Sequence, residues 1–137
     1  MSRYLGSGSY GEVICETLRN GLPVAKKQFH CEDDFLTCDF IREFICISSL
    51  NHPNIVSMLD FHIPTCETKV RLRKEEKAYF RMPKANGSLA KYMEDGKHIS
   101  PSMFINWVSD LLAGLSYIHT CGIVHRDIKP HNILVKN

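Results

Sequence analysis

Residues 3–29 carry two tight-turn signals, and that spacing admits short strands and little else. Gly6, Gly8 and Gly11 make a glycine-dense turn between extended runs. Asn20-Gly21 is a strong hairpin turn ahead of residues 22–29. A three-stranded antiparallel meander is predicted. The period then changes: Phe35, Leu36, Phe40, Ile41, Phe44, Ile45 and Ile47 recur at three- and four-residue spacings. Asp33 and Asp34 can cap the resulting amphipathic helix and complement its dipole, and the helix should end near Asn51, before Pro53.

Residues 55–63 and 78–82 read as two further strands, with the charged residues 67–77 as a solvated hairpin tip between them. A helix follows Ser88. Another starts at Ser100-Pro101, where serine caps and proline suits the first helical position. Its apolar stripe is Phe104, Trp107, Val108, Leu111, Leu112, Leu115 and Ile118, and Gly122 ends it. The expected fold is α+β: a five-stranded antiparallel sheet with one helix, followed mostly by helices.

Bulk properties narrow the class. A chain of 137 residues can bury one real core, and 44% apolar with 23% charged residues is ordinary for a globular domain. A net charge of +2 exerts no strong pull on nucleic acid or a membrane surface, so neither is expected as a partner. No apolar run reaches spanning length and the start lacks a secretory pattern, so a cytoplasmic or nuclear, non-secreted protein is expected. The six cysteines form no CxxC pair. His119 and Cys121 stand two apart with no second ligand pair nearby, which favours reduced structural thiols over a metal site.

Three motifs carry chemistry. Gly6-Ser7-Gly8-Ser9-Tyr10-Gly11-Glu12-Val13 fits GxGxxGxV, in which glycines let a backbone turn close over phosphates. The dinucleotide-fold alternative needs a helix directly after the glycines, whereas a strand pattern follows here. Val24-Ala25-Lys26-Lys27 fits VAxK, and a lysine there can hold phosphates if a carboxylate orients it. Glu43 on the predicted helix is the natural partner. The most specific element is His125-Arg126-Asp127-Ile128-Lys129-Pro130-His131-Asn132, which fits HRDxKxxN at every fixed position.

With these motifs in this order, the chain resembles the eukaryotic-type protein kinases. Lys129, two positions after Asp127, is the form typical of the serine/threonine branch. The resemblance covers a partial kinase domain over 1–137: small lobe 1–83, hinge 84–87 and the start of the large lobe 88–137. It implies ATP and Mg2+ as cofactors and a protein Ser/Thr hydroxyl as acceptor. By this resemblance Asp127 would accept or orient the hydroxyl proton, Lys129 would steady the γ-phosphoryl group, and Asn132 would bind magnesium. Lys27 would hold the α- and β-phosphates with Glu43 as its ion-pair partner, beneath the Gly6, Gly8 and Gly11 turn. Leu5, Val13, Ala25 and Leu134 fall where the apolar sandwich around adenine lies. His125 supports the loop, and Arg126 would pair with a phosphorylated activation loop.

Three departures stand out. Met82 is the gatekeeper candidate to within one residue, and Pro83 replaces an acidic residue common there, leaving Lys84 and Ala85 to supply hinge groups. Proline lacks the N–H but keeps its carbonyl. Met1 stands only five residues before Gly6, so the first strand is barely complete. No Asp-Phe-Gly occurs before Asn137, since Asp60-Phe61-His62 lacks the glycine. Without that magnesium ligand, weak or absent transfer by the isolated chain is expected, as is an exposed apolar surface around Trp107 and Leu111. The alternative reading is a truncated, non-catalytic module that binds ATP or another kinase as decoy or regulator.

Overall fold

The computed structural model describes residues 3–8, 11–29, 38–64 and 77–136. Ser9, Tyr10, Asp33, Asp34, Phe35, Leu36 and the charged stretch up to residue 76, all named above, lie outside the described residues. Two compact units form: Met1–Ser49 with Val56–Lys84, and Leu50–Ile55 with Ala85–Asn137.

In the first unit β1 (Arg3–Gly8), β2 (Gly11–Thr17) and β3 (Pro23–Phe29) run as an antiparallel meander. Asn20-Gly21 makes the β2–β3 turn. Gly21 takes φ 82°, a conformation that costs glycine nothing, and the Asn20 side chain accepts from the Leu22 amide at 3.1 Å. β4 (Asp60–His62) and β5 (Tyr79–Pro83) complete a five-stranded antiparallel sheet of order β1-β2-β3-β5-β4. Helix α1 (Cys38–Ser49) packs its aromatic face on the sheet. Phe29, Phe40, Ala78 and Phe80 are buried there, with Phe44, Ile47, Met58, Ile63 and Met82 around them. Phe29 meets Phe40 edge to face at 4.9 Å, the arrangement ring quadrupoles favour.

Two boundaries fall short of the sequence pattern. The apolar run over 55–63 pairs only through Asp60–His62, because the Ile55 amide turns back to the His52 carbonyl at 3.0 Å and Leu50–Ile55 joins the second unit. Helix α1 stops at Ser49. The Ser48 and Ser49 hydroxyls donate back to the carbonyls of Ile45 and Cys46 at 3.1 and 3.0 Å, side-chain bonds that compete with continuation of the helix.

In the second unit β6 (Gly87–Ser88) pairs with β7 (Leu134–Val135). Helix α2 (Leu89–Glu94) is capped by the Ser88 hydroxyl, which accepts from the Lys91 amide at 3.2 Å. Helix α3 (Pro101–Thr120) is capped likewise by Ser100, accepting from Met103 at 3.2 Å, with Pro101 at its first position. It ends at Gly122, φ 74°. Leu50–Ile55 lies on α3: the Asn51 amide donates to the Tyr117 hydroxyl at 3.1 Å, and His52 stacks on the Tyr117 ring. Gly114 is buried there, since a Cβ on it would stand 3.3 Å from the Asn54 carbonyl oxygen.

The α3 stripe is divided. Ile118 is buried and Trp107, Leu111 and Leu115 are half-buried, while Phe104, Ile105, Val108 and Leu112 are exposed. The expected apolar exposure of the stripe thus falls on Phe104, Val108 and Leu112, while Trp107 meets Tyr92 of α2 edge-on at 5.2 Å. Among the described residues, no helix is long and apolar enough to cross a membrane.

Candidate active-site residues

Strand register sorts the first group of residues onto one face of the sheet. Val13 of β2 stands opposite Lys27 of β3, which stands opposite Phe80 of β5; Cys15, Ala25 and Met82 form the next row. Cross-strand partners share a face, so Val13, Ala25, Lys27 and Met82 project together toward the side that α1 covers. Glu43 comes from α1 and meets the Lys27 ammonium through both carboxylate oxygens, at 2.5 and 2.6 Å. The Lys27 nitrogen also lies 5.1 Å from the Phe29 ring centroid. A part-buried ammonium gripped through both carboxylate oxygens is held in one direction.

The glycine turn is described at its two ends. Gly6 pairs with Val13 and Gly8 with Gly11, so β1 and β2 run together to the turn. Gly11 is buried against β3, and a Cβ there would stand 2.0 Å from the Gln28 carbonyl oxygen. This glycine is required by the approach of two strands, whatever the turn binds. Leu5 falls at the register shift between Tyr4 and Gly6, which leaves it unpaired and 42% exposed. Pro83 pairs with Val24 at the end of β5. Exposed Lys84 closes the first unit and half-buried Ala85 opens the stretch of the second.

The remaining residues belong to the second unit. Asp127 is the centre of a small network: the Lys129 ammonium lies 2.9 Å from its Oδ2, and Asn132 Nδ2 donates to Oδ2 at 2.8 Å and to its backbone carbonyl at 2.9 Å. The Asp127 amide donates to His125 Nδ1 at 3.2 Å, giving His125 a supporting place in the loop. Arg126 is the sole non-glycine residue with positive φ among those described, at 65°, a left-handed turn that reverses the chain just before Asp127. A 3-10 turn, Pro130–Asn132, then carries Asn132 back toward Asp127, closed by the Asn132 amide on the Lys129 carbonyl at 2.9 Å. β7 anchors the end of the loop, with Leu134 opposite Ser88 and 43% exposed.

The electrostatics follow from these bonds. The Lys129 ammonium first, and the Asn132 amide second, hold the Asp127 carboxyl below its ordinary range. Asp127 is therefore an ionised, exposed acceptor next to a fixed cation. Both Asn132 bonds leave from its amide nitrogen, so the carbonyl oxygen Oδ1 takes part in neither. One protein oxygen suits magnesium, which keeps several waters or phosphate oxygens in its shell. Among the described residues no group of three His, Cys, Asp or Glu could hold a metal ion.

An antiparallel five-stranded sheet with a lysine–glutamate pair, and a separate aspartate-centred loop, define a protein kinase fold. The model of the protein kinase domain matches residues 1–137, and the chain belongs to that family. Among curated relatives it is 33% identical over 136 residues to mitogen-activated protein kinase 13 of Bos taurus, covering 96% of this chain and 35% of the relative. It is 34% identical to serine/threonine-protein kinase VIK of Arabidopsis thaliana, over 97% of this chain and 29% of that one. With MAP kinase kinase kinase SSK2 of Saccharomyces cerevisiae the figures are 32%, 96% and 8%. These relatives place the chain in the serine/threonine branch, and the chain spans about a third or less of their length.

Sequence reasoning missed the opposite face of the sheet. There Arg81 of β5 holds Glu16 of β2 at 2.8 Å and Asp60 of β4 at 3.1 Å, and its guanidinium carbon lies 4.8 Å from the Tyr79 ring centroid. The alternation of β5, with Phe80 and Met82 inward, was the available signal that Arg81 points outward. Its partners, 65 and 21 residues away, left no local pattern. Tyr117, which receives the Asn51 amide, was also missed, as nothing in its spacing separates it from the helix stripe.

Proposed function

We propose that this chain is the nucleotide-binding and catalytic-loop part of a serine/threonine protein kinase that transfers the γ-phosphoryl group of ATP to a protein Ser or Thr hydroxyl. The observation that carries the reading is Asp127 held ionised by Lys129 and Asn132. An exposed carboxylate beside a cation can take or orient a hydroxyl proton while the cation steadies charge on the group in transit.

The roles follow residue by residue. Lys27, directed by Glu43, binds the α- and β-phosphates, and Val13, Ala25 and Met82 give the same sheet face apolar area for the adenine. Leu5 adds to that apolar area, and Gly6, Gly8 and Gly11 let the backbone close on the phosphates. Asp127 directs the substrate hydroxyl oxygen toward the γ-phosphorus and takes its proton as the bond to the bridging oxygen breaks. Lys129 keeps the γ-phosphoryl group aligned. Asn132 would hold magnesium, whose charge would neutralise the phosphate oxygens.

A titration of the chain with ATP and magnesium tests the first half of this reading. Saturable binding that Lys27→Ala weakens at least tenfold supports it, and binding indifferent to Lys27→Ala sinks it. A second reading draws on Phe104, Ile105, Val108 and Leu112, exposed on α3. Such a face suits a non-catalytic module that docks on another kinase. A fixed-ratio complex with another kinase, broken by Leu112→Lys and formed by a protein that never transfers phosphate, would favour that reading.

A further inference from the structure

We propose that Arg81 is a positioning residue for nucleotide binding, acting from the sheet face opposite Lys27 to fix Met82 and Glu43 in place. The inference rests on the nucleotide-binding reading above and adds a residue that touches no nucleotide.

The geometry is that of a staple across four strands. Arg81 Nε and one terminal nitrogen reach Glu16 at 2.8 and 3.4 Å, passing over β3, while the other terminal nitrogen binds both oxygens of Asp60 at 3.1 Å. Its backbone carbonyl accepts from the Leu59 amide at 2.8 Å, so main chain and side chain both hold β4. Lys26, the β3 residue opposite Arg81, places its ammonium 4.0 Å from the Tyr79 ring centroid and closes the cluster. The side chain of Arg81 is 18% exposed and that of Glu16 34%, against 48% for Asp60, so the Glu16 arm is the less solvated of the two. Consistent with that, Glu16 is held below its ordinary carboxylate range, chiefly by its hydrogen bond to Arg81.

Two paths lead from this staple to the binding residues. The first is direct: the next residue, Met82, stands opposite Ala25, and the preceding Phe80 stands opposite Lys27, so the β5 register seen by Arg81 is the one seen by both. The second runs through β4. That strand pairs over three residues only, and its Phe61 meets Phe44 of α1 edge to face at 4.8 Å. Phe44 is the neighbour of Glu43. Releasing Asp60 frees the short strand that supports the helix turn from which Glu43 reaches Lys27.

The test measures ATP affinity of the full chain with magnesium, well below each variant's melting temperature, for wild type, Arg81→Met, Glu16→Gln and Asp60→Asn. Arg81→Met is expected to weaken ATP binding about fivefold, within the range by which residues remote from a ligand shift its affinity. Glu16→Gln and Asp60→Asn, each removing one arm, should weaken it less and remain folded if Arg81→Met does not. In a Lys27→Ala background the Arg81→Met effect should shrink, which a purely structural role would not produce. Wild-type binding with unchanged affinity in all three variants overturns the positioning role alone. Absence of ATP binding by the wild type overturns the nucleotide reading, and this inference falls with it.

Discussion

Lys27 on β3 and Glu43 on α1 are joined through both carboxylate oxygens, at 2.5 and 2.6 Å, across sixteen residues of sequence. The contact ties the sheet to helix α1, which packs on it. It also leaves the ammonium with a fixed direction, so the two residues should behave as a unit in function. Lys27→Ala is predicted to lower kcat/KM of the kinase by about 10²–10³, the cost of losing one prearranged charge donor. Glu43→Gln should cost less, and the double variant no more than Lys27→Ala alone. Steady-state kinetics on the three variants check this; additive losses would contradict it.

The state of Asp127 makes a prediction about pH. Its folded-state pKa is lowered, mainly by Lys129 and next by Asn132, so it stays ionised as pH falls to below the ordinary carboxylate range. The acid limb of kcat/KM should accordingly lie below that range. Lys129→Met removes the largest cause, and the limb should move upward in addition to any loss of rate. A limb that stays in place would separate Asp127 from the titrating group.

Gly11 separates packing from binding. A Cβ at this position would stand 2.0 Å from the Gln28 carbonyl oxygen, against backbone that cannot rotate away. Gly11→Ala should destabilise the first unit by about 1–3 kcal/mol, the usual cost of overpacking. Thermal unfolding without nucleotide is the measurement. An unchanged melting temperature would mean that the strands yield.

The Tyr117 hydroxyl accepts from the Asn51 amide at 3.1 Å. Tyr117→Phe keeps the ring on His52 and removes this acceptor, so it should cost about 0.5–1.5 kcal/mol, the net value of one hydrogen bond. Chemical denaturation gives the number, and amide exchange at Asn51 should quicken in step.

What the sequence made legible was local or strictly ordered. Asn20-Gly21, Ser88 and Ser100-Pro101 each fix backbone through their own chemistry, and each sits where its pattern points. The Lys27–Glu43 pair could be named because VAxK is followed, in order, by a helix with Arg42-Glu43 ahead of the apolar run ending at Asn51-His52-Pro53. Reading residues 55–63 as one strand failed because apolar character alone cannot tell a strand from a segment that turns onto a helix, as Leu50–Ile55 does. The staple at Arg81 was invisible for a different reason. One partner lies on the adjacent strand and the other two strands away, and only the spatial order β2-β3-β5-β4 brings Glu16 and Asp60 to one guanidinium. The network at Asp127 was legible as a motif, but the left-handed turn at Arg126 that shapes it was not, because arginine carries no turn signal.

The most direct measurement is phosphotransfer from ATP to a protein Ser/Thr substrate by the native protein, captured through this segment, compared with the same protein carrying Asp127→Asn. The account predicts magnesium-dependent transfer that falls by about 10²–10⁴ in the variant, the usual contribution of a positioned acid or base. Transfer that survives Asp127→Asn undiminished, or no transfer by the native protein, would contradict it.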